Sequence, residues 1–158
     1  MRTGVLFVCL GNICRSPLVE EVFRDFVRQQ KIDHLFQIDS CGTANYHIGD
    51  PPDIRAIKTA FSHGLTLNHL GRQFNHSDFQ YFHFIIAMDK NNQSDLLRHA
   101  KSPQHQKQIH AFRKFDPMGD ETLDVPDLYY GNIADFEKVY EIAKRTSENL
   151  LQFILKNK

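Results

Sequence analysis

The chain opens on an unbroken apolar run at residues 5–8, Val5-Leu6-Phe7-Val8, with a Gly-Asn turn three residues further on. A short run bounded by turn residues marks a strand buried on both faces. From Ser16 the period changes. Pro17 suits the first position of a helix, with Ser16 as its N-cap. Leu18, Val22, Phe23, Phe26 and Val27 then recur at helical spacing, while Glu20, Glu21, Arg24, Asp25 and Arg28 fill the other face. The opening is therefore strand, tight loop, helix. Residues 35–38 predict a second strand ending at Ser40-Cys41-Gly42. Residues 46–52 hold Gly49, Pro51 and Pro52 and read as loop. Residues 53–63 predict a helix stopped by Gly64. A third strand falls at 84–87, and Met88-Asp89 leads from it into a helix toward Leu97. Residues 101–108 are polar and read as loop, and 109–112 predict a fourth strand. Residues 116–131 carry Pro117, Gly119, Pro126 and Gly131 among five acids and read as loop. The last helix, 135–155, offers Phe136, Val139, Tyr140, Ala143, Leu150 and Ile154 to the core.

Strands alternating with helices predict a three-layer α/β/α fold around a parallel four-stranded sheet. Ligands of such sheets bind at the carboxyl ends of the strands, where the loop after the first strand lies. A length of 158 residues fits one domain, 1–158, with one core. Lys plus Arg equals Asp plus Glu, 19 each, which argues against a nucleic-acid binder. The first apolar run is too short for a signal peptide, and no stretch approaches a membrane span. A cytoplasmic protein, monomeric or weakly dimeric, is expected. Three cysteines, an odd number, suit a reactive thiol better than a disulfide framework.

The segment Cys9-Leu10-Gly11-Asn12-Ile13-Cys14-Arg15-Ser16 is C-x5-R-S, set between strand and helix. The spacing alone arises by chance, and its placement gives it meaning. Gly11 and Asn12 tolerate positive φ, so the loop is free to curl with its amides inward. Inward amides at a helix N-terminus form an anion cradle, built here from Leu10 to Cys14. Arg15 adds a planar, two-pronged grip on phosphate oxygens, and Ser16 a hydrogen bond to sulfur. The same field favours a thiolate at Cys9, a nucleophile aimed at phosphorus. The expected chemistry is nucleophilic catalysis through a phosphocysteine. A nucleotide-binding loop would need G-x4-G-K-[ST], which is missing. Cys9 and Cys14 lie five apart with no C-x2-C, and the nine histidines lack ligand spacing. No metal and no organic cofactor is expected.

These residues resemble a known family. Val8 to Pro17 is similar to the signature of the low-molecular-weight protein tyrosine phosphatases. Asp39-Ser40-Cys41-Gly42-Thr43, Tyr46-His47-Ile48-Gly49, Pro52-Asp53, Arg55, His63-Gly64, His69, Arg72-Gln73 and Ala87-Met88-Asp89 match it further along. Asp124-Val125-Pro126-Asp127-Leu128-Tyr129-Tyr130-Gly131 completes the match over nearly the whole chain. The resemblance implies a flavodoxin-like fold and a phosphatase acting on phosphotyrosine in proteins, and on small aryl phosphates. It makes Cys9 the nucleophile, Arg15 the phosphate clamp and Asp127 the general acid and base. It places Ser40 and His69 behind a strained Asn12, and Ser16 on the thiolate. Tyr46 and Tyr129 become the aromatic walls, with Tyr130 beside them. Cys14 becomes a second thiol able to pair reversibly with Cys9. The implied partners are a tyrosine-phosphorylated protein and its cognate kinase. Asp89, ending a strand, reads as an N-cap with a structural role near the site.

Two positions depart from the family pattern. Leu128 follows Asp127 where Pro is usual, so the acid is expected to be less firmly pre-organised. Cys41 stands where a small residue is common and reads as a small buried hydrophobe. The acids of 116–131 lack the D-x-D-x-D-G spacing of a calcium loop. Three other functions compete. An arsenate reductase needs further cysteines after Cys41, and there are none. A protein-arginine phosphatase carries Thr in the loop where this chain has Ile13. A phosphotyrosine-binding module with a decayed site conflicts with intact Cys9, Arg15 and Asp127.

Overall fold

The first strand, β1 at Thr3–Cys9, is buried along its whole length, as a strand without polar alternation must be. The computed structural model describes residues 1–119 and 122–158. β1 is followed by α1 (Arg15–Gln29), a 3₁₀ turn (Asp33–Leu35) and β2 (Phe36–Gly42). Then come α2 (Ile54–Ser62), α3 (Asp78–Tyr81), β3 (Phe84–Ala87), α4 (Lys90–His99) and α5 (Pro103–Gln108). β4 (Ile109–Ala111), a 3₁₀ turn (Phe112–Phe115) and α6 (Ile133–Asn157) close the chain. All four strands pair in parallel in the order β2-β1-β3-β4, as the alternation of elements predicts.

The pleat divides β1 between two cores. Val5, Phe7 and Cys9 face a layer built from α1, α2 and α6, with Leu18, Phe23, Phe136, Val139 and Leu150. Leu6 and Val8 face the other layer, with Phe79, Ile85 and Leu96. The six apolar residues expected on the buried face of α6 are all buried. The order of the strands reverses at β1, with β2 laid to one side of it and β3 and β4 to the other, so the crevice at the carboxyl ends of β1 and β3 is the switch point of the sheet. Residues 10–14 occupy one side of it and Met88-Asp89 the other. Among the described residues no helix is long and apolar enough to cross a membrane.

Four local expectations are corrected. α1 begins at Arg15 with Cys14 as N-cap, so Ser16 lies inside the helix and caps nothing. Its hydroxyl is committed to the Cys9 sulfur and the Asn12 amide group instead. Glu20, expected on the polar face, is 4% exposed and accepts hydrogen bonds from Ser40 and Arg24. Residues 103–108, expected as loop, form α5, whose first turn is capped by the Ser102 hydroxyl accepting from the His105 amide. The described part of 116–131 has neither helix nor strand; Asp120 and Glu121 lie outside the described residues. Asn132 and Asp135 form a capping box, so α6 starts before Asp135.

Candidate active site

β1 delivers Cys9 to the floor of a cavity of roughly 480 Å³, lined also by Leu10, Gly11, Ile13, Cys14, Arg15 and Asp127. The next residues curl because their carbonyls are drawn outward. Thr43 N donates to Cys9 O at 2.9 Å, Ala44 N to Leu10 O at 3.0 Å and Asp53 N to Ile13 O at 2.8 Å. In a trans peptide the following N–H points opposite to the carbonyl. The amides of Leu10, Gly11 and Cys14 are thereby turned toward the cavity. Asn12 N donates to Cys9 Sγ at 3.2 Å, and the Ser16 hydroxyl lies 3.0 Å from the same sulfur. Close approach of β2 makes this curl possible: a Cβ at Gly42 would stand 2.6 Å from Leu10 O.

Asn12 holds the curl from behind. It adopts φ 61°, an unusual conformation for a side-chain-bearing residue. Its Nδ2 donates to Ser16 Oγ at 2.9 Å and Ser40 Oγ at 3.0 Å. Its Oδ1 accepts from Arg72 N at 3.0 Å and meets His69 Nε2 at 2.6 Å. Ser40 in turn donates its hydroxyl hydrogen bond to Glu20 Oε1 at 2.5 Å. Asn12 and Ser16 were expected among the substrate-binding groups. Both are buried, at 1% and 0% exposure, so their side chains support the loop rather than line the cavity.

Arg15 is 3% exposed, and its Nη1 donates to Asp89 Oδ2 at 2.7 Å and Val125 O at 3.0 Å. Burial disfavours its charge, but Cys9, Asp89 and Asp127 together outweigh burial and strengthen the cation. Asp89 also caps α4, accepting from Asn92 N at 2.8 Å, as expected. Cys14 stays a neutral thiol. Burial first, then the charges of Asp53, Cys9 and Asp127, push it up to about 12, against the pull of Arg55. Cys41 is wholly buried beside Leu6 and Val8.

Asp127 is exposed at the cavity wall, its Oδ1 accepting from Tyr129 N at 3.1 Å. Tyr46, 70% exposed, and Tyr129, 52% exposed, both line the cavity, as expected. Tyr130 lines it too, edge-on to Tyr129. Ser40, His69 and Asp89 stand behind the loop and line none of it. Sequence reasoning missed His47, whose Nδ1 lies 3.1 Å from Asp50 Oδ2 and whose ring forms part of the wall. It missed Glu20 as well, although Arg24 at i+4 was a signal of pairing.

Among the described residues, two groups of ligand-bearing side chains lie elsewhere. Glu20, Asp39 and His69 come within reach of one another, but Arg24 and Arg72 already pair with the two carboxylates. His63, Glu137 and Glu141 gather on the surface, where His63 bonds Glu137 and stacks on Tyr140. Neither group includes Cys9, Arg15 or Asp127.

A strand, a curled amide loop closing on a cysteine, and an arginine at the first turn of a helix define this site. The model of the low molecular weight phosphotyrosine protein phosphatase family matches residues 4–158. The chain belongs to this family. A low molecular weight phosphotyrosine protein phosphatase of Gallus gallus is 44% identical over 150 residues, 94% of each chain. Among solved structures, a protein tyrosine phosphatase of Entamoeba histolytica superimposes with a TM-score of 0.92 at 35% identity, covering 98% of this chain and 97% of the other. A Drosophila arginine phosphatase superimposes with a TM-score of 0.89 at 29% identity over the whole of both chains. Family membership accounts for the shared fold and the loop.

Proposed function

We propose that this family member hydrolyses phosphotyrosine in proteins, and small aryl phosphates, through a phosphocysteine. One observation carries the reading: Cys9 Sγ lies at the base of a loop whose amides turn toward a cavity that Arg15 and Asp127 also line. Residues 1–158 act as one catalytic unit in the cytoplasm, as a monomer or weak dimer, on a substrate supplied by a tyrosine kinase.

Loop amides and Arg15 hold the three non-bridging phosphate oxygens. The Cys9 thiolate attacks phosphorus and an S–P bond forms. The P–O bond to tyrosine breaks in line, and Asp127 gives its proton to the departing phenolic oxygen. That proton matters because a phenol titrates near pH ~10 and leaves poorly as an anion. Water then attacks phosphorus, Asp127 takes its proton, and the S–P bond breaks to return the thiolate. Positioning and charge complementarity supply most of the acceleration. Tyr46 and Tyr129 flank the substrate ring, while Ser16 and Asn12 keep the sulfur in place. Cys14, a neutral thiol beside Cys9, is the partner for a reversible disulfide under oxidation.

A second reading, action on phosphoarginine, is favoured by similarity to the Drosophila arginine phosphatase. Ile13 speaks for phosphotyrosine, since a branched apolar wall suits a ring better than a guanidinium. Phosphate release from a phosphotyrosine peptide and a phosphoarginine peptide decides between them. Wild type should turn over phosphotyrosine, and Cys9→Ser should turn over neither while keeping the fold. Turnover by Cys9→Ser would overturn the mechanism, and preference for phosphoarginine would overturn the substrate class.

A further inference from the structure

Asp127 stands on a stretch without regular structure, so its aim depends on what fixes its neighbours. On one side stands Val125. Its amide donates to Met88 O at 2.7 Å, and its carbonyl accepts from Arg15. On the other side one guanidinium holds two carbonyls. Arg55 Nη2 donates to Tyr129 O at 3.0 Å, and Nη1 to Gly131 O at 2.5 Å. The residue whose carbonyl Arg55 grips, Tyr129, is also the one whose own amide, in the preceding peptide, donates to Asp127 Oδ1 at 3.1 Å.

The guanidinium is itself fixed. Its Nε and Nη2 meet the two Asp53 carboxylate oxygens, each at 2.9 Å, in a fork. Its Cζ lies 4.8 Å from the centroid of the Phe136 ring. Asp53 caps α2, and its amide donates to Ile13 O at 2.8 Å. An unbroken chain of bonds thus runs from Ile13 through Asp53 and Arg55 to Tyr129 and so to the Asp127 carboxylate.

We infer that Arg55 is a positioning residue, which ties the place of Asp127 to the phosphate-binding loop and sets the aim of its proton. The inference rests on the reading of Asp127 as general acid. Arg55 does not line the cavity, and it reaches Asp127 through the Tyr129–Gly131 backbone. A lysine could not replace it, since one ammonium cannot fork Asp53 and reach both carbonyls.

The test is the dependence of kcat/KM on the leaving group, measured with aryl phosphates from 2,4-dinitrophenyl phosphate to phenyl phosphate. A proton donor matters for a basic leaving oxygen and little for an acidic one. Wild type should show a shallow dependence and Asp127→Asn a steep one. Arg55→Met should steepen it in the same sense. Phenyl phosphate should lose about tenfold to a hundredfold, the cost of a misplaced group. Dinitrophenyl phosphate should lose less than about threefold, because its leaving group hardly needs the proton. Inhibition by vanadate, which reads the loop alone, should be unchanged. If Arg55→Met fails to fold, Arg55→Lys and Asp53→Asn cut the same chain while keeping the local charge or shape. Equal losses for every leaving group, or no loss, in the folded variants would overturn the inference. A steep Asp127→Asn profile beside a flat Arg55→Met profile would overturn this inference alone. A flat Asp127→Asn profile would overturn the acid assignment and this inference with it.

Discussion

The phosphate-binding loop and the segment that carries Asp127 face each other across one cavity, and they are built in opposite ways. Cys9, Asn12, Arg15 and Ser16 are all at most 3% exposed, and most of their partners lie within the loop or directly behind it. The Asp127 segment presents Tyr129 and Tyr130 to solvent and is secured by residues far away in sequence: Met88, Arg15 and Arg55. The loop has an electrostatic task that rewards a rigid, dry frame. The acid must stand at an open mouth where a substrate ring enters, so it is held by its flanks. Damage to the loop should therefore remove both anion binding and chemistry, and damage to the other segment should spare anion binding.

The sharpest break is at Gly42. A Cβ there would lie 2.6 Å from Leu10 O and 3.2 Å from Gly11 C, both backbone atoms that cannot step aside without opening the curl. Gly42→Ala should lower turnover by about a hundredfold to a thousandfold, the scale for losing one aligned oxyanion donor. Vanadate affinity should fall with it. Turnover lost with vanadate affinity intact would mean that the curl survives and that the contrast between the two regions is misdrawn.

The next effect falls on stability. Asp116, with its side chain wholly buried, joins the turn after β4 to α6. It accepts from Arg145 Nε at 2.8 Å, Arg145 Nη2 at 2.9 Å, Arg113 Nε at 3.1 Å and Met118 N at 2.8 Å. Burial raises its pKa, but the Arg145 bonds, the Met118 amide and Arg113 outweigh burial and hold the carboxyl below its usual range. Asp116→Asn should cost about 3 kcal/mol, the scale for breaking a buried pair. The sign with pH follows from the lowered value. The contribution is complete above the unfolded pKa, near ~3.9, and is lost as pH falls through the folded value. Urea midpoints of wild type and Asp116→Asn should differ equally at pH 7 and pH 5 and converge below about pH 4. A gap that widens on acidification would contradict the pairing.

What could be read from the chain alone follows the same division. The Cys9–Ser16 loop was legible because its strand, turn residues and helix are neighbours in sequence. Two Ser-Pro pairs show where local grammar stops. Ser16-Pro17 reads as a helix cap, yet the Ser16 hydroxyl is taken by Cys9 and Asn12 and the helix starts two residues earlier. Ser102-Pro103 has the same form and does cap a helix, but α5 has no buried residue and so no apolar stripe to reveal it. Glu20 sits on what reads as a polar face of α1, yet it is buried and accepts from Ser40, which lies on β2. Asp127 was singled out among its neighbouring acids by family resemblance, because its distinguishing partners are tertiary. The bond from Arg55 to Gly131 spans 76 residues, a separation at which no helical or strand period carries information.

The smallest effect concerns Leu128, which stands where the family usually has Pro. A proline would fix φ beside Asp127, and its loss was expected to loosen the acid. Leu128 compensates in another way: its side chain is wholly buried and packs with Val125 and Phe136 in the larger core. The segment is thus anchored inward by an apolar side chain and outward by Arg55. Restoring the ring narrows the unfolded and misaimed states by about 0.4–1 kcal/mol. At ~1.4 kcal/mol per tenfold, that is a gain of about twofold to fivefold in kcat/KM for phosphotyrosine. Leu128→Pro also gives up part of the burial, so its urea midpoint should fall while turnover rises. Unchanged turnover would show that the buried leucine already fixes Asp127 as well as a ring would. A deep loss of turnover with vanadate inhibition intact would show that inward packing is the main hold on the acid. In that case Arg55 and Leu128 should be tested as a pair, since two ties on one short segment need not act additively.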